Sequence, residues 1–90
     1  MSDDPDLKAL PPDGAQILDV RGFACPLPVL KTRKAIKSVD DGGLLLVVAT
    51  DPAAPLDFEV YCHRAGNPLE EQWQKDDLFG FLIRKGGAAA

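Results

Sequence analysis

The feature that most constrains how this chain can fold is a cysteine followed by two closely spaced prolines, Cys25-Pro26-Leu27-Pro28. The ring of a proline crowds the residue before it out of the α region, so Cys25 is expected outside any helix, in an extended conformation. Within a helix, proline fits where the backbone N–H has no intrahelical acceptor, which means the first turn. The pair therefore predicts a helix that opens at Pro26, with Pro28 as its third residue. It forbids a helix running through from upstream. Cys25 is then held at the positive end of a helix dipole, where an anion is stabilised.

The rest of the chain arranges itself around that junction. Gln16 to Val20, with Ile17, Leu18 and Val20, reads as a strand, and Arg21-Gly22-Phe23-Ala24 as the loop at its carboxyl end. The first helix is expected over Pro26–Ser38, where Val29, Thr32, Ile36 and Val39 line one face and Leu30 and Ala35 widen the stripe. Lys31, Lys34 and Lys37 then point mostly outward. Asp40-Asp41-Gly42-Gly43 ends the helix with turn residues.

Leu44 to Thr50 is an unbroken apolar run rich in β-branched residues, the pattern of a buried central strand, and Asp51-Pro52 stops it. Asp51 could contact the Cys25 loop or simply terminate its strand, and termination is the expected role. A second helix is expected over Pro55–Ala65, with Asp57 and Glu59 in its first turn, Gly66 as its cap, and an apolar side of Leu56, Val60, Tyr61 and Ala65. Leu69–Lys75 and Leu78–Lys85 read as two strands joined at Asp76-Asp77. Leu69 and Trp73 share a face of the first, and Phe79, Phe81 and Ile83 share a face of the second.

This order has a definite architectural consequence. A strand-helix-strand unit takes a right-handed crossover and makes its strands parallel, while the closing hairpin is antiparallel. The expected fold class is α/β: a two-layer α/β sandwich in the order β-α-β-α-β-β, a mixed four-stranded sheet with two helices on one face. One domain is expected over 15–87. The polar, proline-bearing stretch 1–14 reads as a mobile or loosely docked arm, and 88–90 as a flexible tail.

A cysteine reacts as its thiolate, and a helix N-terminus or nearby Arg and Lys bring its pKa down from about 8.5. Arg21, four residues upstream in the same loop, is the expected electrostatic support, and Gly22, Pro26 and Pro28 shape the site. The expectation is a sulfur that attacks disulfides or persulfides, or carries a transferred sulfur. Other chemistries lack parts. A cysteine hydrolase needs a histidine base beside the nucleophile. The single histidine, His63, falls midway along the second helix and reads as a surface or packing residue. A thioredoxin-type pair needs cysteine where Pro28 stands. Cys25, Cys62 and His63 do not supply zinc-ligand spacing, so no metal site is expected, and no cofactor. A phosphate cradle needs the N–H groups that the two prolines lack. Two cysteines in a short chain do not suggest a disulfide framework.

The net charge is −4, which argues against a dedicated nucleic-acid binder. Yet five of the ten basic residues, Arg21, Lys31, Arg33, Lys34 and Lys37, lie between Val20 and Val39, a window with no acid. Lys31, Arg33 and Lys34 are the candidate docking surface for acidic partners. No apolar run approaches the roughly 20 residues of a membrane span. The acidic N-terminus has no charged-then-apolar leader pattern. A cytoplasmic monomer is expected.

The stretch Leu18-Asp19-Val20-Arg21-Gly22-Phe23-Ala24-Cys25-Pro26-Leu27-Pro28 resembles the signature of the TusA (SirA-like) sulfur-carrier family. The resemblance continues through Lys31-Thr32-Arg33-Lys34-Ala35, Asp51-Pro52, Gly66 and Ile83-Arg84-Lys85-Gly86-Gly87, and covers about residues 16 to 87. It implies the same β-α-β-α-β-β sandwich. It also implies a sulfurtransferase-type carrier rather than a self-sufficient enzyme: Cys25 takes sulfane sulfur as a persulfide from a donor protein, a cysteine desulfurase or rhodanese, and passes it to an acceptor. Acceptors in such a family serve tRNA thiolation, molybdenum-cofactor enzyme maturation or dissimilatory sulfur oxidation. The remaining alternatives are a non-catalytic regulatory or interaction module and a thiol redox sensor using Cys25 and Cys62.

Overall fold

The computed structural model describes residues 15–86, so the expected arm at 1–14, Gly87 and the tail at 88–90 lie outside the described residues. Its strands are β1 (Gln16–Val20), β2 (Leu44–Ala49), β3 (Leu69–Lys75) and β4 (Leu78–Arg84). Its helices are α1 (Leu27–Ala35), which tightens into a 3-10 turn at Ile36–Ser38, and α2 (Ala54–Ala65). The strands form one sheet in the order β1-β2-β4-β3. β1 and β2 are parallel, and β4 runs antiparallel to both β2 and β3. This is the mixed two-layer sandwich that the element order predicts.

Strand β2 owes its central place to its composition. Leu45 to Ala49 are each 1% exposed or less, which a strand achieves only with neighbours on both edges and cover on both faces. On the helix side, Val20, Leu45, Val47 and Ala49 meet Phe79, Phe81 and Ile83 of β4, closed over by Ile36 and Val39 and by Ala54, Phe58 and Cys62 of α2. Phe58 stacks on Phe81 with ring centroids 4.5 Å apart. Burying a side chain of that size contributes about 1.5–3 kcal/mol, so this pair anchors α2 to the sheet.

Several expectations about faces and boundaries are corrected. Pro26 is the cap rather than the first helical residue, and Pro28 sits in the first turn. The Pro26 carbonyl still accepts the first helical bond, from Leu30 N–H at 3.1 Å. Helical backbone ends at Ser38, with Val39 already extended, so the glycine turn at Gly42 (φ +81) follows the helix instead of capping it. Leu30, expected to widen the buried stripe of α1, is 47% exposed.

The buried side of α2 is Ala54, Phe58 and Cys62, whereas Leu56 and Val60 are 66% and 45% exposed. That helix carries apolar residues on two sides, and the wide aromatic ring takes the core. Leu69 and Trp73 do not share a face either. An irregularity between Leu69 and Glu71 shifts the register, placing Leu69 opposite core-facing Ile83 and Trp73 opposite Gly80. The Trp73 indole lies directly over Gly80, where an added methyl group would collide with the ring. Among the described residues, its buried Nε1–H has no hydrogen-bond partner.

Candidate functional site

Parallel strands bring their carboxyl ends to the same edge of a sheet, and here that edge carries the cysteine. Val20 and Ala49 are register partners, so the loop after β1 and the loop after β2 emerge side by side. Gly22, with φ +85 in the region that disfavours side chains, donates its N–H to Thr50 Oγ1 at 2.9 Å. Cys25 donates its N–H to Asp51 Oδ2, also at 2.9 Å. Ala24 O accepts from Leu27 N–H at 2.9 Å, which closes the loop onto the first turn of α1. The Lys31 ammonium lies 4.5 Å from the centre of the Phe23 ring, a cation–π contact that ties the loop to the helix flank. Asp51 ends its strand, as expected, and it also holds the cysteine loop, the less favoured of its two expected roles.

The sulfur is exposed and free, and the groups around it are acidic. The Asp57 carboxylate lines a groove beside it, and the proximity of Asp57, with the negative charge of Asp51, raises the Cys25 pKa above the ordinary cysteine value. Arg21 is not among the groups that shift this pKa. Arg21 forks onto Asp19, with Nε 2.9 Å from Oδ1 and Nη2 2.8 Å from Oδ2, and this ion pair lowers the Asp19 pKa. Its charge is thereby paired with a carboxylate near the end of β1. These acidic neighbours oppose the thiolate that the helix end favours.

Cys25 stands at one end of a groove of about 560 Å³ between α1 and α2, lined by Pro26, Val29 and Arg33 on one side and by Leu56, Asp57, Val60 and Arg64 on the other. The structure thus gathers Cys25, Pro26 and Arg33 at one place. Lys34 borders an adjoining hollow, Lys31 is on Phe23, and Pro28 is buried beneath the first turn, its carbonyl accepting a 2.9 Å bond from Thr32 Oγ1. Cys62 and His63 line a separate hollow with Glu59, Pro68 and Leu69 on the opposite flank of α2. Burial pushes the Cys62 thiol up to about 11. The structure does not bring Cys62 or His63 to Cys25, and no three His, Cys, Asp or Glu side chains among the described residues converge as a metal site would require.

Thr50, Asp57, Leu56, Val60 and Arg64 are the site residues that the sequence reading missed. The signal for Thr50 was available, because parallel strands must end together. The others required knowing which side of α2 faces the sheet.

The comparisons with known proteins bear on the family and the fold. The family model described as sulfurtransferase TusA matches residues 16–85. The chain is 40% identical over 73 residues to the sulfur carrier protein TusA of Allochromatium vinosum, covering 81% of this chain and 96% of that protein. It is 38% identical over 69 residues to the sulfur carrier protein TusA of Pseudomonas putida, covering 77% of this chain and 86% of that protein. The crystal structure of a SirA-like protein from Desulfitobacterium hafniense matches it with a TM-score of 0.68, over 78% of this chain and 96% of that one. At 24% identity, that likeness speaks to the fold.

Proposed function

Because the chain belongs to the TusA family of sulfur carriers, we propose that Cys25 is the atom on which its sulfur travels, as a persulfide. The observation that carries this reading is the pairing of one exposed cysteine, clamped through its own N–H by Asp51, with an open groove and, among the described residues, no second cysteine or histidine in it. Deprotonated Cys25 attacks the terminal sulfur of a donor persulfide. The new S–S bond forms at Cys25 while the bond to the donor's own cysteine breaks, and its electron pair leaves with the donor sulfur as thiolate. The proton lost by Cys25 balances the one the donor thiolate takes up, and no net oxidation occurs. Passage to an acceptor thiolate repeats the exchange in the other direction.

Asp57 and Asp51 oppose the thiolate, so the docked donor or acceptor supplies the positive charge that completes the reaction. A cysteine desulfurase or rhodanese fits the donor's role. The acceptor belongs to tRNA thiolation, molybdenum-cofactor enzyme maturation or dissimilatory sulfur oxidation. The protein works in the cytoplasm as a monomer, with Lys31, Arg33 and Lys34 on the side that meets partners, and it needs neither metal nor cofactor.

The test is peptide-mapping mass spectrometry after incubation with a cysteine desulfurase and cysteine. The peptide carrying Cys25 should gain the mass of one sulfur atom, and Cys25→Ser should gain none. Uptake that persists in Cys25→Ser would sink the assignment.

A further inference from the structure

The groove at Cys25 does not stop at the sulfur. A second hollow, bordered by Leu30, Lys34, Lys37 and Asn67, shares Arg33, Tyr61 and Ala65 with the first. The two make one continuous channel between α1 and α2, running from Cys25 to the end of the first helix. Its walls keep large apolar side chains in solvent: Leu30 is 47%, Leu56 66% and Val60 45% exposed. Unburied apolar surface concentrated beside a reacting atom marks a surface that another molecule covers.

The charge along the channel is opposite to that of the chain. The whole sequence has 14 acidic and 10 basic residues, yet the channel is bordered by Arg33, Lys34, Lys37 and Arg64 against the single acid Asp57, which sits at the sulfur end. Apolar walls with a cationic rim suit a polypeptide that presents an apolar row flanked by carboxylates, in the way amphipathic segments lie in grooves. A nucleic acid would use the cations but leave Leu56 and Val60 without partners.

We propose that this channel is the docking site for an acidic, amphipathic segment of the donor protein, which seats its apolar row on Leu56 and Val60 and its carboxylates on Arg33, Lys34, Lys37 and Arg64. The segment so aligned delivers the donor's persulfide to Cys25 at the channel's end. This rests on the reading of Cys25 as the sulfur-carrying atom, and it adds the partner's chemistry and the side from which it approaches.

The test compares two sources of sulfur on the full-length chain. One is a cysteine desulfurase of the host charged with cysteine, which must dock. The other is sodium tetrasulfide, which need not. Two variants alter the channel away from the sulfur: Leu56→Ser/Val60→Ser on the wall, and Lys37→Glu at the far end. Each should lower the initial rate of loading from the desulfurase about tenfold, while loading from tetrasulfide stays within about twofold of wild type. Circular dichroism melts check that both variants fold. Because Leu56 and Val60 are exposed and Lys37 lies on the surface, neither change removes core.

Equal rates from the desulfurase in variants and wild type would overturn the proposal. So would a desulfurase that fails to load a wild type that tetrasulfide loads. If Lys37→Glu instead weakens binding of a fluorescent RNA oligonucleotide and leaves desulfurase transfer untouched, the surface serves nucleic acid and the proposal fails. Failure of the carrier reading itself gives a different signature: Cys25 of the wild type gains sulfur from neither source.

Discussion

At Cys25 two opposing influences meet. Two prolines set the sulfur at a helix N-terminus, which favours a thiolate by a few tenths to about 1 kcal/mol at an exposed site. Asp57, beside the thiol in the groove, acts with Asp51 to raise the pKa. Alkylation requires the thiolate, so a raised pKa means a lower rate at neutral pH and a midpoint above that of free cysteine. Asp57→Asn keeps the shape and removes the charge. It should move the iodoacetamide rate midpoint down in pH and increase the rate at pH 7 by about twofold or more, measured by mass spectrometry on the Cys25 peptide. An unchanged midpoint would show that Asp57 does not control the sulfur. The position of Cys25 at the helix start is legible from the prolines alone, since their backbone restrictions are local. Its electrostatics were not, because Asp57 is 32 positions away and reaches the sulfur only after two loops meet at one sheet edge.

Elements read well where one period dominated and poorly where two were present. The apolar run of β2 has one reading, and its central, buried place follows. α2 offers two apolar sides, Leu56 with Val60 and Phe58 with Cys62, and periodicity has no means of ranking them. Packing decides, because the flat Phe58 ring can stack on Phe81. The consequence is a contrast between neighbours. Phe58→Ala should cost about 3–5 kcal/mol in a urea melt, whereas Leu56→Ala should stay within about 0.5 kcal/mol of wild type. Comparable losses would mean that the helix presents a different side to the sheet. The β3–β4 hairpin hides its register in the same way, since the irregularity after Leu69 moves Trp73 to the other face and no residue type announces it. Gly80→Ala tests that placement. The new methyl group must displace the Trp73 ring, with a loss of about 1–3 kcal/mol and a shift in tryptophan fluorescence. A neutral result with unchanged emission would place the ring elsewhere.

For the whole molecule, small size and a single reactive edge fit a carrier whose partners complete the chemistry. The other cysteine belongs to the core and leaves its mark on stability. The Cys62 pKa rises from 9.0 to about 11 on folding, so the native state holds its proton where the unfolded chain would lose it. The stability contributed by that neutral thiol is fully present below about pH 9 and is lost as pH climbs toward about 11. Melting temperature should therefore fall across that window more steeply in wild type than in Cys62→Ala, and parallel curves would contradict the assignment. The central claim is that sulfur rides on Cys25 and leaves again. It is tested most directly by loading the protein with isotopically heavy sulfur from labelled cysteine through a desulfurase, desalting it, and chasing with an excess of acceptor thiol. The account predicts one heavy sulfur on the Cys25 peptide, retention of loading in Cys62→Ser, none in Cys25→Ser, and transfer of the label to the acceptor during the chase. Label on Cys62, or on Cys25 but never released to the acceptor, would contradict it.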